Sequence, residues 1–483
     1  MTSEIHSFLN AHRDQLAEEL LGWLRLPSVG GMPEHVADVN RSAHWLAGAL
    51  RGIGFPTVEI WPAGDAPAVY AEWCAAPGAP TVLIYSHHDV RAAKDEQWEE
   101  TAPFEPVVRD GYVYGRGASD AKGQVVAHLW GLRAHLAATG RDAPAVNVKI
   151  LVEGEEETGS AHLEGLLEEH RPQADLIVFS DTLLWRRDHP AVCLSMRGTM
   201  LGELEVYGPN RDVHSGAVSG PAPNPVIELA NLIAELHDDK GRVTLPGFYD
   251  AVVEPSEQTR AELAALPYSD EDWLSRSDTR SIGGEEGFTV LERLWARPSV
   301  EVLTVAAGDP VGPSRAAVPA VATASLSIRT VPDQTIPEVA EQLRRHIEAT
   351  ISDTFEYKLT MTVDGGQEPY RTPRDLPAVE ILAAAMEDGF GVPAGRMGNA
   401  GGGPADLLVR MVGAPLLFFG TGLPEDRWHD SDERAGLDVL IAGAATMASF
   451  WERLSHSRVT SEVPDYGENG TVAGGTPRVA DQP

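Results

Sequence analysis

The chain has 483 residues, which at about 150 residues per domain is room for two or three domains around a large core. Its 72 Asp and Glu outnumber its 38 Lys and Arg, and the net charge of −34 would repel nucleic acid and anionic lipid surfaces. Two cysteines are too few for a disulfide framework, and no apolar run approaches the roughly 18 residues of a membrane span. The N-terminus shows neither a basic nor an apolar leader region. These features predict a cytoplasmic protein.

The first elements predicted along the chain carry no visible chemistry. One amphipathic helix is predicted up to Pro27, because apolar residues recur at helical spacing: Ile5, Phe8, Leu9, Leu16, Leu20, Trp23 and Leu24. A second helix over 42–53 is ended by Gly54, and a strand follows over 69–73.

A histidine pair follows the next predicted strand, over 81–85. A single His at a strand end is more often structural than a metal ligand. The H-x-D spacing of His87 and Asp89 favours a ligand, because the Asp can hydrogen-bond the second nitrogen of a metal-bound imidazole. His88 points to the other face of an extended chain and is left out.

Residues 115–123 read G-R-G-A-S-D-A-K-G and open a helix. Neither G-x-x-x-x-G-K-[ST] nor G-x-G-x-x-G is present, so the phosphate-binding interpretation is weak. Asp120 in this turn has two interpretations, a metal ligand or a helix cap, which is the commonest use of such an Asp.

The stretch 153–160 reads E-G-E-E-E-T-G-S and follows an apolar run over 146–152. Carboxylates this close repel each other unless positive charge lies among them, and a metal ion would supply it. The alternative is a solvated acidic loop in an acidic protein.

Strands that alternate with helices predict an α/β fold with a mostly parallel sheet covered by helices on both faces. These strands lie over 81–85, 146–152 and 176–180. Sites in such folds lie beyond the carboxyl ends of the strands. Asp181 follows the third strand, and His429 lies in the loop after a further apolar strand over 415–420. Two His and several carboxylates, with no thiolate, predict a centre for zinc, or for manganese or cobalt.

A separate α+β unit is inserted between these parts. Its predicted elements are strands over 201–207, 323–328 and 357–363 and helices over 225–236 and 337–351. The predicted division is a catalytic domain over 1–197 and 374–454, an inserted domain over 198–373, and a tail over 455–483 whose composition predicts disorder.

In this order of motifs the chain resembles the co-catalytic zinc metallopeptidases that include cytosolic dipeptidases (carnosinases), carboxypeptidase G, aminoacylase and succinyl-diaminopimelate desuccinylase. The matching stretches are YSHHDV at 85–90, YGRGASDAKG at 114–123, EGEEETGS at 153–160, SD at 180–181, DVHSG at 212–216 and SIRTVPDQ at 327–334, followed by the loop of His429. The resemblance implies that the insert is a ferredoxin-like lid that forms a homodimer. The long piece over 238–298 resembles the lid of the dipeptidase branch.

By resemblance, two zinc ions share Asp120, with Mn²⁺ or Co²⁺ as substitutes. The other implied ligands are His87 and Asp181 for one ion and Glu157 and His429 for the other. The implied reaction is hydrolysis of the peptide bond of a dipeptide or short unblocked peptide by a water that the ions activate. Glu156 would be the general base, and Asp89 would be a further catalytic residue, placed behind the metal ligand His87.

Two lid residues have implied roles in binding the substrate. Arg329 would hold the substrate's terminal carboxylate in a bidentate fork, or it could pair with a surface carboxylate. His214 would be a catalytic donor to the developing oxyanion in the partner subunit's site, or it could be an ordinary surface His.

The chain departs from the family pattern at Ala121, where Asp or Asn is frequent, and at Gly403, where dipeptidases have Ser. These departures concern specificity more than the metal centre. The alternative activity is that of an amide hydrolase acting on N-acyl amino acids. An inactive, metal-holding binding protein is disfavoured by the presence of Glu156.

Overall fold

The computed structural model describes residues 1–308, 315–363 and 365–457. The helices of the first part are α1 Thr2–Ala11, α2 Arg13–Leu24, α3 Val36–Ile53, α4 Lys122–Thr139 and α5 Leu163–His170. Its strands are β1 Thr57–Trp61, β2 Ala68–Trp73, β3 Thr81–His87, β4 Val107–Arg109, β5 Tyr112–Tyr114, β6 Asn147–Glu153, β7 Leu176–Phe179 and β8 Ala191–Met196.

The inserted part contains six strands and six α-helices within the described residues. The strands are β9 Gly198–Tyr207, β10 Val213–His214, β11 Ser299–Ala307, β12 Ala317–Val318, β13 Val321–Thr330 and β14 Glu356–Met361. The helices are α6 Ser215–Val218, α7 Pro225–Ala234, α8 Glu257–Ala264, α9 Asp270–Arg276, α10 Val290–Trp295 and α11 Ile336–Thr350.

The chain then returns to the first part. The last strands are β15 Tyr370–Arg371, β16 Gly395–Asn399, β17 Leu416–Phe418 and β18 Arg434–Gly436. The last helices are α12 Pro377–Phe390, α13 Ala405–Val412 and α14 Leu437–Ser455.

The main sheet has the strand order β1-β2-β6-β3-β7-β17-β8-β15, with β16 beside β8. Its centre, β6-β3-β7-β17, is parallel, and antiparallel pairs lie toward the edges. Helices α1–α4, α12 and α14 cover one face, and α5 and α13 cover the other. Because both faces are covered, β3 is apolar over 82–85 and β7 is apolar throughout. The predicted α/β class is confirmed.

The lid, as we call the inserted part over 198–373, has its own sheet and core. Its antiparallel strands follow the order β11-β13-β9-β14, and α7 and α11 pack on one face. With the chain order β9, α7, β11, β13, α11, β14, this is the expected ferredoxin-like arrangement. Strand β9 alternates between buried and more exposed residues, as a sheet with one covered face requires.

The N-terminal helices differ from the prediction. The single helix predicted before Pro27 is wrong: α1 and α2 are separate helices, because His12 has the non-helical backbone angles φ −113° and ψ 16°. The domain boundaries stay predictions. Of the predicted disordered tail, residues 458–483 lie outside the described residues.

None of the helices in the described ranges is both long enough and apolar enough to cross a bilayer. The cytoplasmic location stays a prediction.

Candidate metal centre

His87 is the last residue of β3 and is fully buried. Its Nε2 lies 3.1 Å from Asp120 Oδ1 and 3.7 Å from Asp181 Oδ1. On the other side of the ring, Nδ1 lies 3.1 Å from the Asp89 carbonyl oxygen and 3.3 Å from its carboxylate. The ring therefore has the orientation expected of a supported ligand, with a free nitrogen facing two carboxylates.

Asp120 also contacts a second group of side chains. Its Oδ2 lies 2.9 Å from His429 Nε2, which in turn lies 3.2 Å from Glu157 Oε2. The cap interpretation of Asp120 is wrong, because Ala121 is the N-cap of α4 and no side chain caps that helix. Asp120 thus belongs to two groups of potential ligands, and within each group the donor atoms lie within 4.8 Å of one another: His87, Asp120 and Asp181, and Asp120, Glu157 and His429.

The three consecutive glutamates after β6 point in different directions. The Glu155 carboxylate lies 2.9 Å from His162 Nδ1, and Glu157 is buried in the second group of ligands. Glu156 is half-buried, belongs to neither group and lines a cleft. The solvated-loop interpretation is therefore wrong for this stretch.

Asp89 has a second contact that its spacing from His87 did not predict. Its carboxylate accepts hydrogen bonds from the backbone N–H groups of Glu156, at 3.2 Å, and of Glu157, at 3.1 Å. One buried side chain therefore supports His87 and also fixes the turn that carries both glutamates.

The electrostatics of the cluster show an excess of buried negative charge. Burial raises the pKa of Asp181 and of Glu157, and burial together with the Asp181 carboxylate raises the pKa of Glu156 well above its usual value. Hydrogen bonds to Asp120 and Glu157 raise the pKa of His429 to about 10. Cations bound among these carboxylates would neutralise their charge.

The donor set fits a pair of divalent transition-metal ions. Asp181 Oδ1 is buried and has no hydrogen-bond partner within the described residues, which is costly unless a cation lies beside it. The donors are imidazole nitrogens and carboxylate oxygens, which suit zinc, manganese or cobalt.

The cluster opens onto a cleft of about 890 Å³. The lid contributes Thr199, Arg329 and Gln367 to its walls. An apolar wall is formed by residues near Asp181 and residues of the long lid insertion: Leu183, Leu184, Trp185, Tyr268, Trp273, Leu294 and Trp295. A small substrate with apolar side chains would therefore meet both the carboxylate cluster and the lid.

Arg329 and His214 differ in position. Arg329 faces the cleft, and within the described ranges its one side-chain hydrogen bond goes to Thr199 Oγ1, so no surface carboxylate pairs with it. Burial lowers its pKa. His214 is exposed on the short β10–β12 ribbon and is not among the residues that line this cleft.

Arg91 had no clear signal in the sequence, and Gly403 was noted only as a departure from the family pattern. Arg91, exposed at the cleft, places Nε 2.8 Å from Glu157 Oε2. A Cβ on Gly403 would lie 2.8 Å from Phe179 Cζ, so a serine at 403 would require the loop to shift.

The sequence was compared with known proteins. The profile of Peptidase family M20/M25/M40 matches residues 83–453. The Beta-Ala-His dipeptidase of Rattus norvegicus is 27% identical over 481 residues, which cover 95% of this chain and 97% of that protein. The Cysteinylglycine-S-conjugate dipeptidase of Corynebacterium striatum is 28% identical over 453 residues, covering 92% and 96%.

The fold is similar to the crystal structure of human carnosine dipeptidase 1. The TM-score is 0.81 at 26% identity, and the match covers 94% of this chain and 99% of that one. The relatives thus match the chain over nearly its whole length.

Proposed function

The chain belongs to the M20/M25/M40 peptidase family, and from this premise we propose that it is a metal-dependent dipeptidase that hydrolyses dipeptides or short unblocked peptides. The observation that carries the proposal is the pair of ligand groups that share Asp120 at the base of a cleft. Relatives of nearly equal length are named as dipeptidases, which supports this substrate class.

Two metal ions would be held by five side chains. Asp120 would be the shared ligand; the others would be His87, Asp181, Glu157 and His429. When bound, such ions polarise a substrate carbonyl and lower the pKa of a water molecule. We propose zinc as the metal, with manganese or cobalt as substitutes, because the donors are nitrogen and oxygen.

Glu156 would act as the general base. It faces the cleft without belonging to either ligand group, so its carboxylate is free to accept a proton during the reaction. It would accept a proton from the attacking water and deliver it to the departing amine. Asp89 would keep the base in place through its hydrogen bonds to the turn and would orient His87.

Arg329 would bind the free C-terminal carboxylate of the substrate. Its guanidinium lines the cleft on the lid side, and no carboxylate among the described residues pairs with it. A fork of two parallel N–H donors matches a carboxylate better than a point charge does.

A homodimer formed through the lid would complete the site. His214 is exposed and does not line the cleft of its own subunit, so its oxyanion role requires a second copy. The edge strand β11 carries two exposed apolar side chains, Leu303 and Val305, which would be covered in such a dimer. Two-fold self-complementary contacts are the commonest in homo-oligomers.

A substrate panel tests the proposed activity. Metal-free protein is reconstituted with Zn²⁺, Mn²⁺ or Co²⁺ and assayed on unblocked dipeptides, on the same dipeptides with an N-acetyl group, and on N-acyl amino acids. We expect turnover of the unblocked dipeptides with metal and none with chelator. A preference for N-acyl amino acids would favour the deacylase activity instead.

A further inference from the structure

Glu433 lies four residues after His429 and is fully buried. We propose that Glu433, together with Arg116, is a positioning residue that fixes the loop of the shared ligand Asp120 against the loop of His429. The proposal deepens the proposed function, because it rests on the metal centre described above.

The Glu433 carboxylate accepts four hydrogen bonds from the loop that carries Asp120. Oε1 accepts from the backbone N–H groups of Ser119, at 2.9 Å, and of Asp120, at 3.0 Å. Oε2 accepts from the N–H of Gly117 at 3.0 Å and from Arg116 Nη1 at 2.8 Å. Three backbone N–H groups of one irregular loop are therefore held by a side chain 313 positions away from Asp120 in the sequence.

Arg116 connects the same loop to the segment of His429. Its Nη2 donates to the carbonyl oxygen of Asp430 at 3.1 Å, and the N–H of Gly115 donates to the carbonyl oxygen of Glu433 at 3.0 Å. Next to these contacts, β5 pairs with β18, with Tyr114 opposite Arg434. The segment of His429 is thus joined to the Asp120 loop at three neighbouring residues of that loop, Tyr114, Gly115 and Arg116.

These contacts decide the geometry of both metal positions. Residues 115–121 belong to neither a helix nor a strand, so their N–H groups have no secondary-structure partner to replace the carboxylate. Because Asp120 belongs to both ligand groups, a small shift of Asp120 relative to His429 would change the donor distances in both groups. Partners that orient ligands typically change metal affinity about 10- to 100-fold when they are removed.

The lid offers a matched control. Glu285 is also buried and also accepts from an arginine, with Arg297 Nε at 2.8 Å and Nη2 at 2.9 Å, yet its contacts lie within the lid. Glu285→Gln removes the same charge from a buried ion pair without affecting the loops that carry Asp120 and His429.

The experiment compares Glu433→Gln with Glu285→Gln. Zn²⁺ binding to the metal-free proteins is measured by calorimetry, the Co²⁺-loaded proteins are examined by visible absorption, and kcat and KM are measured at saturating metal. We expect Glu433→Gln to bind Zn²⁺ about 10- to 100-fold more weakly, to change the Co²⁺ spectrum, and to lower kcat with little change in KM. Glu285→Gln should lose thermal stability and keep the metal affinity and the spectrum. Glu433→Asp, which keeps the charge, should restore part of the affinity.

Equal Zn²⁺ affinity and an unchanged Co²⁺ spectrum in Glu433→Gln would overturn the proposal. If that variant does not fold, Arg116→Lys gives the same test, because it keeps the Glu433 carboxylate and removes the guanidinium that donates to both Glu433 and the carbonyl oxygen of Asp430. Weaker Zn²⁺ binding supports the proposal and unchanged binding overturns it. Wild-type protein that binds no metal would overturn the proposed function as well, whereas metal-binding wild type with unaffected variants overturns the positioning role alone.

Discussion

Two groups of buried carboxylates, one in the lid and one at the candidate metal centre, are neutralised differently. In the lid, Glu285 accepts from Arg297 through both oxygens and from Arg242 Nη1 at 2.9 Å, so one carboxylate meets two guanidinium groups. The other group lies at the carboxyl ends of the central strands of the main sheet, which we call the sheet edge. Four carboxylates surround two imidazoles there: Asp120, Glu156, Glu157 and Asp181.

This difference identifies the part of the fold that is incomplete without a ligand. A buried carboxylate is tolerated when its charge and its lone pairs are satisfied, and the lid satisfies both with its own arginines. Among the described residues, the sheet edge leaves Asp181 Oδ1 without a hydrogen-bond partner, and burial there raises the pKa of three carboxylates. The lid therefore contributes binding surface, whereas the sheet edge requires cations.

The sharpest test of this comparison separates two neighbouring glutamates at the sheet edge. Glu156→Ala should keep both metals and lose about 10²- to 10⁴-fold in kcat, the usual cost of losing a general base. Glu157→Ala should lose metal as well as activity. Elemental analysis of the purified variants measures the metal content. A metal-free Glu156→Ala beside a fully loaded Glu157→Ala would reverse the assignment.

A second test asks whether the lid of one subunit serves the sheet edge of the other. His214→Ala should lose about 10²- to 10³-fold in kcat, as for other oxyanion donors. When His214→Ala and Glu156→Ala are mixed under subunit exchange, activity should reappear, because one site of the mixed dimer has both an intact base and an intact partner His.

Each variant mixed with itself is the control for that exchange. Mixed dimers that form, as shown by native mass spectrometry, and yet stay inactive would contradict the role of His214 across subunits.

A smaller effect is expected for the lid residue that lines the cleft. Arg329→Lys keeps the charge and loses the planar fork, so kcat/KM for dipeptides should fall about 10- to 100-fold, the range for hydrogen bonds to charged groups. Dipeptide amides, which lack the carboxylate, should be affected much less. Equal losses on both substrates would remove the carboxylate-binding role.

Patterns that are local in sequence predicted much of the fold. The buried parallel strands contain apolar runs over 82–85, 150–152 and 176–179, and each of His87, Glu157 and Asp181 follows such a run within a few residues. The break at His12 could not be predicted, because apolar residues keep helical spacing across it. The lid helices α8 to α10 have only 6 to 8 residues each, which is too short for a clear periodic signal.

Contacts between segments that are far apart in the sequence could not be predicted from it. Glu433 meets the Asp120 loop only because β5 pairs with β18, and Arg91 meets Glu157 only because β3 and β6 are neighbours. Neither contact has a spacing that marks it in the chain. The H-x-D pattern could indicate support for His87, whereas the hydrogen bonds from Asp89 to the glutamate turn require the folded sheet edge.

The last prediction concerns the pH dependence of stability without metal. In the folded, metal-free protein the pKa of His429 is raised from 6.5 to about 10, so its protonated form adds stability that is fully present below pH 6.5 and is lost as the pH rises toward about 10. His87, whose pKa is also raised, acts in the same direction. Asp120 has the opposite sign, but its lowered pKa confines its effect to acidic pH. Between pH 6.5 and about 10, the Tm of metal-free protein should therefore fall as the pH rises.

Bound cations replace these protons, so the Tm of metal-loaded protein should change less over the same range, and the difference in Tm between loaded and metal-free protein should widen with pH. Differential scanning calorimetry of both forms at pH 6.5, 8 and 9.5 measures this difference. The variant His429→Ala lacks the titrating imidazole beside Asp120 and Glu157. The Tm of its metal-free form should therefore fall less steeply with pH, because this imidazole is not there to lose a proton. A constant difference in Tm across the range would mean that protons do not neutralise the sheet edge in the absence of metal. Its carboxylates would then be stabilised by the protein alone, as those of the lid are.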